Sequence, residues 1–237
     1  PDVLATYQKQ NYHLQQLKGL FTWQQQKPEL WQVTAEHLQG YINKRAMPLT
    51  TLSVEKKSPL LTIAGEKINL EQMALLVKEV PTPAALKKWL ADAKPSGQIS
   101  GVAVQLTANN DGSVKINHIS AVFDRLSALA TNDYSGFKNI SGWLSHAEQG
   151  GAAAIHIENG ELDLRQVYRV PTPIENLNAT LQWQPVGDDW QVASNFITVK
   201  NTDTHGHAVL TLTIPKSDFS SAKMKLLASI YDGKLDS

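Results

Sequence analysis

The sequence predicts a mainly β protein: an extended, twisted antiparallel sheet of repeated hairpins, curled into a groove, with two short α-helices. Three observations predict this fold. Alternating apolar and polar residues recur between clusters of Asn, Asp and Gly, which is typical of hairpins. Only two segments have helical periodicity. One Trp-Gln pattern occurs twice, and repeated hairpins bury an apolar face only by standing side by side.

Composition excludes several classes of protein. The chain has 237 residues, with 22 Lys plus Arg against 22 Asp plus Glu, so it lacks the basic excess of a nucleic-acid-binding protein. A hydrophobic fraction of 42% indicates a folded chain. The absence of cysteine excludes disulfides, thiolate metal sites and cysteine nucleophiles. No apolar run reaches the roughly 18 residues of a membrane-spanning helix.

We expect residues 1–237 to form a single β-rich domain with a helical insert at about residues 69–93. The chain opens with Pro1 rather than Met and stops just after an apolar alternation. We therefore expect it to be a fragment of a longer protein, so that any segment that targets or anchors the parent lies outside it.

The helices are predicted at residues 69–80 and 82–93. Asn69 precedes Gln72 by three residues, the spacing of an N-terminal capping pair. Thr82 can cap the second helix with Pro83 at its first position, and Pro95 ends it. Two helices of this length are each about 17 Å long.

Turn-forming clusters divide the rest of the chain into hairpins. Asn109-Asn110-Asp111-Gly112 separates a strand at 102–106 from one at 114–117. Gln149-Gly150-Gly151 and Gly187-Asp188-Asp189 separate two further pairs, and residues 208–214 and 224–230 form a fourth. About ten or more strands follow from this pattern.

The repeat centres on tryptophan. Trp23-Gln24 and Trp31-Gln32-Val33 recur as Trp183-Gln184 and Trp190-Gln191-Val192, so Trp23 and Trp183 should occupy equivalent places, as should Trp31 and Trp190. These rings either pack the same corner of each hairpin or line an apolar groove, where they can contact acyl chains or lipid headgroups.

The helices are too short to cover a sheet of ten strands, which is roughly 45 Å wide. Either the sheet curls so that its apolar face meets itself, or the uncovered face binds something. Residues that alternate with period 2 point to one side of their strands and are the candidates for such a groove. They are Val102, Val104, Leu106, Val114, Ile116, Ile155, Ile157, Leu210, Leu212 and Ile214.

Catalytic and metal sites have weaker support. His205 and His207 lie on the same side of a strand, and His146 and His156 could face each other across a hairpin. Apart from Asp203, no neighbouring carboxylate completes either pair as a metal site. The acidic residues of Asp188-Asp189 and Asp232-Gly233, the candidates for glycoside chemistry, are typical of turns next to glycine. The serine-hydrolase, phosphate-loop and zinc-protease motifs are missing from the sequence. We therefore predict no enzyme activity, no cofactor and no metal.

The order of motifs resembles the central AsmA-like region of YhdP-type proteins of Gram-negative bacteria, from about residue 17 to the C-terminus. The segments that carry the resemblance are Ile68-Asn-Leu-Glu-Gln72, the helix from Pro83 to Leu90, Lys94-Pro95-Ser-Gly97, Gly136-Phe137-Lys-Asn-Ile140-Ser-Gly142, Arg169-Val-Pro171-Thr-Pro-Ile174, Leu177-x3-Leu181-x-Trp183, Trp190 and Ile214-Pro215.

The resemblance implies a long sheet curled into a groove, located in the periplasm and anchored in the inner membrane by the parent chain. It also implies a non-catalytic part in moving phospholipid between the inner and outer membranes. A structural or protein-interaction module of an envelope assembly, with other envelope proteins as partners, remains the alternative, and a hydrolase is a third. The resemblance transfers no individual ligand residue.

Overall fold

The structure is a computed structural model that describes residues 3–7, 10–77, 84–108, 114–131, 134–164, 170–202, 204–218 and 221–231. It divides into two compact units, residues 1–121 and 122–237. We describe each unit by itself, and the expectation of a single domain stays a prediction. Within the described residues, no helix is long and apolar enough to span a membrane.

The protein is mainly β, as predicted: fifteen strands form one antiparallel sheet, accompanied by two short helices. The main strand order is β1-β2-β3-β5-β6-β8-β9-β10-β11-β12-β13-β14-β15, while β4 pairs with β3 and β7 with β8. The strands are β1 (Val3–Tyr7), β2 (Gln10–Lys27), β3 (Leu30–Ile42), β4 (Arg45–Ala46), β5 (Thr50–Lys57), β6 (Leu60–Glu66), β7 (Ile68–Asn69), β8 (Ser96–Ala108), β9 (Val114–Ala128), β10 (Gly136–Ala147), β11 (Gly150–Asp163), β12 (Thr172–Val186), β13 (Asp189–Lys200), β14 (His205–Pro215) and β15 (Lys223–Ile230).

Both predicted helices form, and both are shorter in the described residues than the sequence suggests. Helix α1 is Leu70–Leu76, and the Asn69 side chain caps it by accepting a hydrogen bond of 2.9 Å from the Gln72 amide. Helix α2 is Ala84–Ala93. Residues 78–83, including the predicted cap Thr82, lie outside the described part of the chain. Helix α1 contacts β4, β7 and β8, and it also contacts α2.

The predicted hairpins pair as expected. β10 pairs with β11 around a turn at residues 148–149, β12 with β13 around 187–188, and β14 with β15. β8 and β9 are neighbours in the sheet, while their turn at 109–113 lies outside the described residues.

The sequence predicts a sheet curled into a groove, and the structure limits this curvature: the sheet is neither closed nor strongly curled. Strong curvature needs bulges or glycine kinks repeated at matching positions on neighbouring strands. Bulges interrupt several strand pairs, including β10 with β11 and β12 with β13. Between these, β11 pairs with β12 from Gly151–Trp183 to Leu162–Thr172 in one continuous register. One strand pair in continuous register therefore lies between two irregular ones.

Candidate functional site

The sheet of the second unit has one apolar face. Cross-strand partners in an antiparallel sheet point to the same side, so the register assigns every paired side chain to a face. On one side, rows of mostly apolar residues cross β10 to β15. We call this side the second apolar face. Its larger aliphatic members are Ile140, Leu144, Ile155, Ile157, Leu177, Leu181, Val192, Ile197, Val199, Leu210, Leu212, Ile214, Met224, Leu226 and Ile230.

The opposite side of the same strands is mostly polar. On β12 the residues that alternate with Leu177 and Leu181 include Asn178, Gln182 and Gln184. This side also carries Ser141, Ser145, His156, Thr198, Lys200, Thr211, Thr213, Lys223 and Lys225. It also carries four exposed apolar side chains, Trp143, Phe196, Val209 and Leu227. The unit is thus amphipathic across its thickness in the average polarity of its two sides.

The first unit has the same organisation. One row crosses five strands as Trp23, Val33, Val54, Ile63 and Val104. The parallel rows add Phe21, Ala35, Leu52 and Val102 on one side and Trp31, Leu61 and Leu106 on the other. We call this side the first apolar face. Its members are only partly covered, because Trp23 is 62% exposed and Ile63 is 40% exposed.

The structure groups the predicted groove residues within each unit. Val102, Val104 and Leu106 belong to the first apolar face. Asn117 on β9 donates a hydrogen bond of 2.6 Å to Thr107, which alternates with Leu106 and so lies on the polar side. Strand alternation then places Val114 and Ile116 on the apolar side. The remaining candidates, Ile155, Ile157, Leu210, Leu212 and Ile214, all belong to the second apolar face.

These candidates differ in accessibility. Ile116 is 53% exposed, whereas Ile157 is only 1% exposed, and Leu212 lies between them. Ile157 therefore belongs to the packed interior and not to an accessible surface. The other large aliphatic members of the second apolar face on β10 to β14 are half-buried, and those on β15 are exposed. One end of this face lies at the turns that join β10 to β11 and β12 to β13.

At that turn end the face carries an aromatic cluster, which we call the turn-end cluster: His146, Trp183, Trp190 and Lys216. The Trp183 indole N–H donates a hydrogen bond of 2.9 Å to Nδ1 of His146. The His146 ring lies 6.0 Å from the Trp183 ring and 5.9 Å from the Trp190 ring, between centroids. The ammonium group of Lys216 stands 5.8 Å from the centroid of Trp190, within reach of a cation–π interaction.

The predicted equivalence of the tryptophans is confirmed. Trp23 pairs with Val33 as Trp183 pairs with Val192, and Trp31 pairs with Gln25 as Trp190 pairs with Pro185. All four rings belong to the apolar face of their own unit. Their packing differs, since Trp23 and Trp31 stack on each other at 5.6 Å with an interplanar angle of 10°, while His146 lies near both Trp183 and Trp190 in the second unit.

The histidine prediction needs a correction. The turn between β10 and β11 consists of residues 148–149, so His146 pairs with Gly151 and His156 with Ser141. Because side chains alternate along a strand, His146 lies on the apolar face and His156 on the polar face. The same error in strand register hid the contact between His146 and Trp183, because a shift of one residue moves a side chain to the other face of the sheet.

His205 and His207 do share a side, and both rings contact Tyr231. In the part of the chain that the structure describes, no three His, Asp or Glu side chains are grouped to hold a metal ion. Asp188 lies in the turn before β13, where its carbonyl accepts a hydrogen bond from the Lys216 amide. Asp203 and Asp232 lie outside the described residues.

No curated protein and no solved structure matches the chain. A family model does match, described as YhdP protein, and it covers residues 3–237. YhdP proteins are proteins of the cell envelope. The match spans nearly the whole chain, including both apolar faces and the repeated tryptophan hairpins. The chain belongs to the YhdP family.

Proposed function

We propose that this chain is a non-catalytic segment of a conduit that carries phospholipid through the periplasm between the inner and outer membranes. The acyl chains lie on the apolar faces of the two units, and the polar sides face water. The parent chain is anchored in the inner membrane outside this segment.

The observation that carries the proposal is the division of each unit into one apolar and one polar face. Exposed apolar surface costs about 25 cal/mol per Å² in water, and monomeric proteins rarely expose a large continuous apolar patch without a ligand or partner. The first apolar face leaves Phe21 58% exposed and Trp23 62% exposed. An acyl chain removes such surface from water without requiring any hydrogen-bonding group of the protein.

A second candidate is a structural or protein-interaction module of an envelope assembly. It is favoured by β15, whose residues are all exposed and which has, among the described strands, a neighbour on one side only. Met224 is 67% exposed and Ile230 64% exposed on this strand. A partner protein could pair with this edge and cover the adjacent apolar surface.

Site-specific photo-crosslinking in cells separates the two candidates. A photoreactive amino acid is placed at Leu181, on the second apolar face, or at Gln182, the adjacent residue on the polar side. A second matched pair is Val54 and Glu55 in the first unit. The full-length protein is irradiated, purified and analysed by mass spectrometry for lipid and protein adducts.

The conduit requires phospholipid adducts at Leu181 and Val54, and at least ten-fold fewer at Gln182 and Glu55. Protein adducts at the apolar positions in place of lipid would support the interaction module. Equal lipid labelling on both sides, or no lipid at any position, would refute the conduit for this segment.

A further inference from the structure

We propose that the turn-end cluster of the second unit binds the phosphate-bearing headgroup of a phospholipid, so that each lipid lies along the face with a fixed polarity. This inference rests on the proposed function. It adds the place of the headgroup and the residues that contact it.

Antiparallel pairing brings the four residues of the turn-end cluster to the same end of the strands. His146 is near the end of β10, Trp183 near the end of β12, and Trp190 at the start of β13. Lys216 follows the last residue of β14. The ends of β10, β12 and β14 and the start of β13 all lie at the turn end of the unit, so one edge of an otherwise aliphatic face carries the polar chemistry.

The hydrogen bond between Trp183 and His146 fixes the tautomer of the histidine. An indole N–H is only a donor, so the Nδ1 atom that it contacts must be an acceptor without a proton. The neutral imidazole then carries its proton on Nε2, which is a donor suited to an anionic oxygen. Trp183 therefore orients His146 for donation at the edge of the apolar face.

Lys216 supplies the positive charge. Its ammonium group donates one hydrogen bond of 2.6 Å to the carbonyl of Gly187 and lies over the Trp190 ring. An ammonium group has three donors, so this bond positions the side chain and leaves donors for a phosphate oxygen. Tryptophan and lysine at an apolar boundary are the residues that proteins place at the headgroup level of membranes.

Away from the turn end, the second apolar face is aliphatic. The last full row there consists of Ile140, Ile157, Leu177, Val199, Gly206 and Ile230. From Leu177 to Trp183 the strand extends about 20 Å, at about 3.4 Å per residue. This length accommodates the roughly 15 Å hydrocarbon depth of one bilayer leaflet. Acyl chains therefore fit the aliphatic part while the headgroup reaches the cluster.

The first unit supports this polarity independently. Its stacked pair Trp23 and Trp31 lies towards the corresponding turn end, and Lys56 is the direct cross-strand partner of Trp31 on the same face. Tryptophan rings and a cation thus recur at the turn end of each unit, on the side that is otherwise apolar.

The test uses the full-length protein and two photoreactive analogues of one phosphatidylglycerol, with the diazirine either next to the phosphate or at the end of an acyl chain. Adducts are mapped to peptides by mass spectrometry. The headgroup probe should label the peptides that contain His146, Trp190 and Lys216, and the acyl-end probe those that contain Leu177 and Val199.

In Lys216→Gln, headgroup labelling of the turn end should fall about five-fold, the size expected for one exposed charge pair. Lys225→Gln, on the polar side of β15, serves as the control.

The outcomes distinguish this inference from the proposed function. If both probes label both ends equally, or if Lys216→Gln and Lys225→Gln have the same effect, the headgroup site is refuted although the conduit stands. If neither probe labels the second apolar face, the conduit itself fails. Free glycerol phosphate at the concentration of the lipid probe should leave the headgroup labelling unchanged, because it lacks acyl chains. Full competition at that concentration would overturn the inference, since the site would then bind phosphate without the lipid.

Discussion

Replacing Leu212 by glutamate tests whether the second apolar face is an open surface or a closed core. Leu212 lies in the centre of β14 between Val192 and Met224, and it is half-buried. Its neighbour Thr211 points to the polar side, where Lys225 is its cross-strand partner. Thr211→Glu therefore introduces the same charge one residue away without touching the apolar face.

The expected magnitude follows from burial. Complete burial of a leucine contributes about 1.5–3 kcal/mol, so half of it corresponds to roughly 1 kcal/mol. For a chain of this size, 1 kcal/mol shifts the melting temperature by about 2–4 °C. A charge in a closed core would cost several kcal/mol instead, because it would be buried without a partner.

The assay combines thermal unfolding, followed by circular dichroism, with mass spectrometry of the phospholipid that copurifies with the full-length protein. Leu212→Glu should melt within about 4 °C of the wild type and lose most of its bound lipid, whereas Thr211→Glu should keep both. Gross unfolding of Leu212→Glu, together with a wild type that carries no lipid, would refute the open face.

Three further predictions concern local structure. Asn69→Ala should destabilise α1 by about 1 kcal/mol and speed amide exchange at its start, while Gln72→Ala, which keeps the backbone donor, should not. Gly151→Ala should cost about 1–3 kcal/mol in denaturant unfolding and alter tryptophan fluorescence, because its methyl group would stand 2.5 Å from Cζ2 of Trp183; Ala152→Ser on the opposite side is the control. Ser141→Ala should accelerate exchange of the Arg125 amide, whose hydrogen bond of 2.9 Å ends on the Ser141 hydroxyl. Unchanged exchange or stability in any of the three would contradict the corresponding contact.

The sequence predicts the elements that depend on local chemistry. Asn69 caps a helix because its side chain can reach an amide three residues later, and this needs no tertiary information. The repeated Trp-Gln pairs predict matching hairpins because the two copies share their flanking residues. The first copy has one residue more before its turn, and a register shift between Gln25 and Lys27 takes it up, so that Trp23 pairs with Val33 as Trp183 pairs with Val192.

The features that the sequence does not predict depend on strand register and on bulges. A turn at Gln149 to Gly151, as the sequence suggests, would put His146 and His156 on the same face of the sheet. The turn at residues 148–149 puts them on opposite faces. Asn139, with φ of 64°, marks the irregularity between Lys138 and Ile140. A bulge adds one residue to a strand, and the apolar periodicity of the sequence does not indicate where. The curl depends on how such bulges line up across strands, which is a property of the whole sheet.

The uneven surface of the second apolar face favours binding of a flexible molecule over a rigid one. Large side chains such as Leu181 and Ile155 alternate across the strands with Ala153, Ala179 and Gly151, so the surface has ridges and hollows. A rigid helix or sheet would need matching knobs at every hollow to reach the packing density of a protein interface. An acyl chain adapts by rotating its bonds and can shift along the ridges without breaking a hydrogen bond. A surface of this kind holds hydrocarbon and still allows it to move, which a conduit requires and a permanent assembly contact does not.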